Sequence, residues 1–534
     1  MTQLVTGVFR LKQGVRLISQ GSGGVLLRKS PLRAFRVNAA AFSVLQRCQA
    51  GLCLDHDQIP EAGCSQEALL AVLDRLFQAG ILDWTPSECL QFPSVSVIVP
   101  VYNREEELSE CLDSLAALVY PADKVEVIVV DDASTDGSAA IAAQHKARLV
   151  KLPVNRGQSA ARNVGVMHAS GELVAFIDSD CIADPAWLRD LVPFFQDSRT
   201  ALVGGYVASF FQNTWLDRYE EVKSPLCMGS DLAIGSGPDS DFYVPTCNMV
   251  VRKDVYLRVG GLKENQRVGE DVDLCWRLKE AGFRLIYVPK GVVKHKHRSS
   301  FSATFSRRFQ YGTSEPLLHD NHPHVSKRYP WNPASMVILA GCIGAVALQS
   351  LLAALLVPGT VLLDTLLKKR RYELQIGVPI SIKEVLRSTA GTHFELLFQL
   401  TYHWVRYYLI LILLVGAVFP SLAPAAMAMI LFPSFVEFLR KRPKLSYPAF
   451  VFFFASDHIS YQAGVLWGSI VRRNFRSYKL RFVTVGRRET PSRRAINEVD
   501  RNRHGSQPLG GRDRANEVTA GSGSLEGLRP SNLS

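Results

Sequence analysis

Leu173-Val174-Ala175-Phe176-Ile177-Asp178-Ser179-Asp180 is the stretch from which the fold is read. An unbroken apolar run ends in two carboxylates spaced i, i+2. Such a run is a strand buried on both faces, as in a sheet covered by helices, with its acids delivered at the C-terminal end into a crevice. A carboxylate pair of this kind suits a hard divalent cation, which takes oxygen ligands and also holds phosphates. Upstream, Val95 to Val99 and Val125 to Val130 are near-continuous β-branched runs separated by a predicted helix, Glu105 to Val119. A helix at Ser159 to Ala169 precedes the Leu173 strand. The alternation predicts a parallel α/β sheet with ligands at the carboxyl ends of its strands. Pro100-Val101-Tyr102-Asn103, Asp131-Asp132 and Asp178-Ser179-Asp180 all fall at those ends.

Further along, Gly269-Glu270-Asp271-Val272-Asp273-Leu274 sets Glu270 and Asp271 at the start of an amphipathic segment, Asp273 to Ala281, a favourable helix start for acids. A metal site plus a separate free carboxylate is what sugar transfer from a nucleotide donor requires. The metal neutralises a leaving diphosphate and the carboxylate deprotonates an acceptor hydroxyl.

With 534 residues the chain is too long for one ordinary domain. Its net charge of +12 is concentrated in Lys441 to Arg494, beside apolar segments. That favours acidic lipid as a partner over nucleic acid. The ten cysteines are scattered without a C-x-x-C pair. Cys48, Cys111, Cys181, Cys275 and Cys342 lie in apolar segments, which reads as reduced, cytosolic thiol. Met1 to Gly21 has no long apolar core, so no signal peptide is expected.

Four parts follow. Residues 1–90 form a small unit with short strands over Val15 to Ser30 around Gly21-Ser22-Gly23-Gly24. In it, Asn38 caps a helix Ala39 to Gln49, and Ser65 caps a second that Gly80 stops. Strands plus short helices suggest a winged-helix-like module, or a structural cap. Residues 91–330 hold the α/β sheet. Residues 331–486 are apolar. Met336 to Leu363 is long enough to span a bilayer at ~20 residues per crossing. Tyr407 to Val436, broken by prolines, could be one span, a kinked hairpin or an interfacial pair. Pro448 to Ile470 contains Asp457 and His458, so it is expected on the membrane surface or packed on protein. A buried helical domain is the alternative for the whole region. Residues 487–534, rich in Arg, Gly and Ser, read as disordered.

Val95-Ser96-Val97-Ile98-Val99-Pro100-Val101-Tyr102-Asn103-Arg104 and Val129-Val130-Asp131-Asp132-Ala133-Ser134-Thr135-Asp136-Gly137-Ser138 resemble the nucleotide-binding half of family 2 glycosyltransferases, which have the GT-A fold. Asp178-Ser179-Asp180 matches that family's DxD motif and Gly269-Glu270-Asp271 its ED motif. The resemblance implies a UDP-sugar donor, with Asp132 accepting the uracil N3–H, Tyr102 against the base face, and Pro100 and Asp131 beside them. It implies Mg²⁺ or Mn²⁺ on Asp180, with Asp178 facing ribose or metal and a late histidine, His295 or His297, as further ligand; His295 is favoured. A surface Lys/His cluster is the other reading of Lys290 to Arg298. Asp271 is the expected base, with Glu270 holding the acceptor. Arg156 and Arg162, in a loop resembling the family's donor loop, either face the diphosphate or are salt-bridged. Arg307, Arg308 and Tyr311-Gly312 are expected to close over the diphosphate. Processive members of the family carry a Q-x-x-R-W motif after the base. This chain has none, which favours one or a few sugars on a cytosolic acceptor over a long polymer.

Gly23-Gly24-Val25-Leu26-Leu27, Asn38-Ala39-Ala40-Ala41-Phe42 and Leu73 to Trp84 resemble PqqD-like domains, which recognise leader peptides by adding them to a sheet edge. A PqqD-like head, a family 2 transferase and a hydrophobic tail together are similar to the glycosyltransferases of mycofactocin biosynthesis. That family implies β-linked glucose placed from UDP-glucose, by inversion, on a peptide-derived redox cofactor. The basic cluster Lys368 to Arg371 after the apolar segment, with the reduced cysteines, puts the protein at the cytoplasmic face of the membrane as an expectation. Competing readings are an envelope transferase acting on a lipid-linked sugar or polysaccharide, and a non-enzymatic peptide-binding scaffold. The intact Asp132, Asp180 and Asp271 disfavour the scaffold.

Overall fold

The computed structural model describes residues 6–483 except 22, 30–31, 55–65, 88–90, 236–240 and 299. The predicted cap Ser65 and the tail beyond 487 lie outside the described residues. The chain starts with β1 (Gly7–Leu11), β2 (Val15–Gln20), β3 (Gly23–Lys29), β4 (Leu32–Val37), α1 (Ala39–Ala50), β5 (Leu52–Leu54), α2 (Gln66–Gln78) and β6 (Leu82–Pro86). Asn38 caps α1 as expected, its side chain accepting from the Ala41 N–H. Gly80 ends α2 at φ +65°, a value costly for other residues. The strands form two antiparallel sheets, β5-β1-β6 and β2-β3-β4.

The central region runs β7 (Val95–Val101), α3 (Glu105–Ala116), β8 (Val125–Asp131), α4 (Ser138–Gln144), β9 (Arg148–Lys151), α5 (Gln158–His168), β10 (Leu173–Phe176), β11 (Cys181–Ala183), α6 (Trp187–Leu191), β12 (Thr200–Gly204) and β13 (Val207–Ser209). It continues through α7 (Trp215–Lys223), β14 (Ala233–Gly235), β15 (Met249–Arg252), α8 (Lys253–Arg258), α9 (Glu270–Glu280), β16 (Arg284–Tyr287), β17 (Val293–His295) and α10 (Phe301–Asn321). Eight strands make one sheet in the order β14-β16-β12-β15-β10-β7-β8-β9. The three strands read from the sequence, β7, β8 and β10, are parallel neighbours as expected. The half β10-β7-β8-β9 is parallel, but β15 runs antiparallel to both β10 and β12, and β14 antiparallel to β16. Apolar runs report burial on both faces, not strand direction. β7 and β10 are buried throughout, so their carboxyl ends are rigid mounts.

The head and this sheet share one core. Trp84 packs edge-on against Phe194, and Arg284 pairs with both Asp74 (2.6 Å) and Asp197.

The remainder is β18 (Arg328–Pro330), α11 (Pro333–Ala347), α12 (Leu351–Ile376), α13 (Ile382–Val418), α14 (Ala423–Lys441), α15 (Tyr447–Arg472) and β19 (Arg481–Val483). Met336 to Leu363 is therefore not one continuous helix. It turns back at Leu348–Ser350, where Ser350 caps α12 by accepting from the Ala353 N–H. Tyr407 to Val436 is a hairpin, turning through Pro420–Leu422. The helix containing Asp457 and His458 packs on protein. Gly312 of α10 lies against Gly464 of α15, where an added Cβ would meet backbone. α12, α13 and the segment Pro420–Lys441 are long and apolar enough to cross a membrane.

Candidate active site

β7 and β8 end in two turns held together by side chains. Asn103 (φ +52°) and Ala133 (φ +64°) are left-handed, an unusual state for non-glycine residues that often marks function. The Asn103 side-chain Oδ1 accepts from the Thr135 N–H (2.8 Å), and the Ser134 hydroxyl accepts from the Asn103 backbone N–H (3.0 Å). Asp131 is buried and accepts from the Ser134 N–H (2.8 Å), which shapes the turn. Pro100 is buried within β7, and Tyr102 is exposed at the turn. Asp132 accepts from the backbone N–H groups of Arg156 and Gly157, both at 2.7 Å. It thereby fixes the loop before α5. Each ionised oxygen keeps a further lone pair, so this does not close it to a base. Arg156 reaches outward to Glu264 (2.6 Å).

Arg162, on α5, is fully buried. Its guanidinium joins Asp178 (2.5 Å) to Glu270 (3.5 Å). Gln158, one turn earlier, donates to Glu270 (2.7 Å). Sequence reasoning found Arg162 but gave Gln158 no role; both occupy one face of α5, at i and i+4.

Asp178 is thus engaged by arginine, and the cation-like cluster forms without it. Among the described residues Asp180, Cys181 and His295 bring one ligand atom each within 4.8 Å of one another. β11 and β17 pair Cys181 opposite His295, and His295 Nε2 lies 3.6 Å from Asp180. Burial pushes the Cys181 thiol well above its usual range, and a hard divalent cation prefers oxygen to sulfur. Burial also raises the Asp180 carboxyl, which the neighbouring His295 opposes. An oxygen and an imidazole ligand beside an open cavity fit a divalent cation completed by phosphate oxygens and water. His297 backs this pair, its Nδ1 3.2 Å from the Nδ1 of His295. Burial lowers its imidazole to about 3, so it stays neutral. The Lys290 to Arg298 segment is therefore more than a surface cluster.

Gly269, left-handed at φ +74°, turns the chain so that Glu270 and Asp271 open α9. Burial, then the Asp271 charge, raises Glu270 to about 7. Burial likewise raises Asp271, against its bond from the Val272 N–H. Asp273 faces the other way. It accepts from Lys263 and Arg277 (both 2.7 Å) and contacts His322 (3.1 Å), anchoring α9 to the end of α10.

Arg308 needs correction as a donor-facing residue. It is buried and committed to Glu220 (2.7 Å) and Asp457 (3.2 Å). Gly312, likewise, is spent on helix packing. Arg307 rests over Tyr311, 5.0 Å from the ring centre, and lines the cavity.

A cavity of about 1120 Å³ connects these groups. Arg162, Asp178, Asp180, Glu270, Asp271 and His295 line one part. Tyr402, Arg406, Glu437, Lys441, Asp457 and Tyr461 of the C-terminal helices line another. That contribution was missed in the sequence. Asp457 in an apolar helix was its one visible signal.

Carboxylates and a histidine at the ends of a buried sheet, with a deep cavity beside them, define a GT-A glycosyltransferase. The chain belongs to glycosyl transferase family 2, whose model matches residues 96–258. Along almost its whole length it is similar to the pre-mycofactocin glycosyltransferase of Mycobacterium tuberculosis, 29% identical over 489 residues, covering 90% of this chain and 98% of that one. The glycosyltransferase AglE of Haloferax volcanii is 31% identical over 230 residues, 42% of this chain and 73% of its own. Among solved structures, a mannosyltransferase from Pyrobaculum calidifontis in complex with GDP-Man and Mn²⁺ gives a TM-score of 0.35 at 20% identity, covering 61% and 94%. Staphylococcus aureus TarS 1–349 with UDP-GlcNAc gives 0.36 at 18%, covering 59% and 93%. Likeness at that level decides nothing about ligands or residue roles.

Proposed function

We propose that this chain is an inverting, metal-dependent transferase that moves glucose from UDP-glucose to a mycofactocin-type, peptide-derived redox cofactor or its precursor, forming a short β-linked oligoglucose. The observation that carries the reading is similarity to a pre-mycofactocin glycosyltransferase over 98% of that protein's length, head and apolar helices included. The head is proposed to be PqqD-like (1–90), joined to a catalytic domain (91–330), a membrane-associated helical region (331–486) and a tail.

In this reading Tyr102 and Asp132 hold the uracil, the base against the ring and the N3–H on the open side of the carboxylate. Asp180 and His295 hold Mg²⁺ or Mn²⁺, which when bound neutralises the departing diphosphate. Arg162 aligns Asp178 with Glu270, so that the donor side and the acceptor side share one fixed cation. Asp271 removes the acceptor hydroxyl proton as that oxygen attacks the anomeric carbon. The bond to UDP breaks on the opposite face, and the configuration inverts. Glu270, with a carboxyl near 7, can carry a proton and hold the acceptor hydroxyl. The test is incubation of purified protein with UDP-glucose, Mn²⁺ and extract from a cofactor-producing strain, read by mass spectrometry. Hexose additions on a peptide-derived product are expected; additions confined to other molecules refute the acceptor.

A second reading, a lipid-linked or polysaccharide acceptor, is favoured by one observation. The cavity runs from Asp271 to Arg406 and Lys441 on helices that expose apolar faces. Partitioning the product between organic and aqueous phases separates the two.

A further inference from the structure

α11 and α12 form a hairpin whose two ends both return to the water-soluble body. At one end, β18 pairs with β19, and Ser335, just inside α11, bonds His393 (2.7 Å). At the other, Ile376 and Ile380 pack on Val25, Leu27, Leu32 and Ala34 of the head, and the Tyr372 hydroxyl donates to the Leu32 carbonyl (2.9 Å). Between these anchors the hairpin is bare. Leu348, Leu351 and Leu352 are each about three-quarters exposed, and Leu355, Leu356, Leu362 and Leu363 are exposed as well.

The length of that bare region decides what it does. Asp364, paired with Lys368 (2.7 Å) and His393 (2.9 Å), is the first charge to interrupt it on α12, ahead of exposed Leu366 and Leu367. On α11 it begins after the buried Ser335 and Ile338. From Leu351 to Leu363 is about 18 Å at 1.5 Å per residue, against about 30 Å for the hydrocarbon core. The first arm, α11, has 15 residues, where a crossing takes about 20. α12 alone is long enough to cross, but α11 is not, so the pair cannot cross and return, and its bare tip matches one leaflet. Exposed Arg370 and Arg371 follow the apolar stretch, and exposed Lys383 and Arg387 stand at the start of α13. This basic rim complements anionic headgroups. At the turn, the Ser350 hydroxyl is engaged in capping α12, and the Leu348 N–H donates to Gly344. The Gln349 amide can donate to the last carbonyls of α11, which such a turn leaves without helical donors.

We propose that α11–α12 is a re-entrant hairpin, inserted into a single leaflet of an anionic bilayer from the side of the catalytic domain. This deepens the membrane association proposed above, and its test reads lipid insertion rather than transfer, so the two can fail separately. Full-length protein is mixed with phosphatidylcholine vesicles with and without phosphatidylglycerol, then floated. Flotation should be strong with the anionic lipid. It should be lost in Leu348→Asp/Leu351→Asp/Leu352→Asp, whose exposed positions leave folding intact by near-ultraviolet circular dichroism. Arg370→Glu/Arg371→Glu should bind anionic vesicles at least roughly tenfold more weakly, with little change on neutral ones. Gln349→Cys should resist a membrane-impermeant maleimide supplied outside or trapped in the lumen. Labelling from the lumen would mean a crossing and overturn the proposal. So would flotation unaffected by the triple variant, or wild-type protein that stays soluble because a second copy covers the hairpin.

Discussion

The two acids of the ED motif sit side by side and both border the cavity, but only Glu270 is also bound by Gln158 and Arg162. In the proposed reading Asp271 is the base. Asp271→Asn should therefore lower transfer about 10²–10⁴-fold while UDP binding, followed by calorimetry, stays near wild type. Near-normal turnover would move the base to Glu270. Because both carboxyls are raised and adjacent, they titrate as a pair. The base must be ionised to act, so kcat/KM should rise with pH on an acid limb lying above the ordinary 3.8 of aspartate. A limb at or below 3.8 would contradict the burial of this pair. The folded state also holds the Glu270 proton more tightly than the unfolded chain, so stability is lost as pH climbs from 4.5 toward 7. The melting temperature of Glu270→Gln relative to wild type should then improve from acid to neutral pH. Asp180→Ala should weaken both donor binding and turnover, and chelator should reproduce the loss in wild type. Full activity in excess chelator would rule out the metal. At this scale the sequence was readable where short motifs carry chemistry. Arg308 and Gly312 misled because a motif gives residue type and spacing but not which way a side chain is spent.

Among the elements, α10 and α15 show what periodicity alone hides. Their contact is made by glycines. A Cβ on Gly464 would stand 2.0 Å from the Phe309 carbonyl oxygen, and one on Gly468 2.7 Å from that of Thr313. The close approach lets Arg308 on α10 meet Asp457 on α15 at 3.2 Å. A charge in an apolar helix is thereby matched and kept at the cavity wall. Gly464→Ala should cost roughly 1–3 kcal/mol by overpacking and separate that ion pair. Thermal unfolding in detergent should show the loss, and transfer should fall with it; an unchanged melting temperature and unchanged transfer would mean the crossing does not hold the cavity. Apolar length was legible in this region, but the turn at Leu348–Ser350 was not. No glycine or proline stands at those three positions to announce it, and the Ser350 cap is the only local sign. Strand order was equally hidden. β15 enters the sheet antiparallel between β10 and β12, and nothing in Met249–Arg252 distinguishes it from a parallel strand.

For the whole molecule, the head is welded to the catalytic domain and to the helices, which changes how its proposed peptide-binding role can be tested. Removing residues 1–90 would take Asp74 from buried Arg284 (2.6 Å) and uncover Phe194 where Trp84 packs. Arg284 would keep Asp197 but lose its second carboxylate, and breaking a buried charge network is destabilising. Such a truncation should lower catalytic-domain stability as well as acceptor use, and cannot separate the two. The β2-β3-β4 sheet offers a cleaner handle. The β4 edge is engaged, its Leu32 N–H donating to Ser388 (2.7 Å) and its Leu32 carbonyl accepting from Tyr372. Among the described residues β2 pairs with β3 alone. An extended peptide joining this sheet would therefore add beside β2, through its outward N–H and C=O groups. Single prolines placed at Arg16, Leu17, Ile18 and Ser19 should alternate in effect. Those that remove an inward N–H break the β2–β3 ladder and melt the head. Those that remove an outward one keep the fold, because an edge strand tolerates proline there. The fold-preserving variants should retain UDP-glucose hydrolysis and lose glycosylation of the peptide-derived acceptor, measured side by side on the same preparations. If they glycosylate it as wild type does, the head serves as a structural brace between sheet and hairpin, and the acceptor is recognised by the cavity alone.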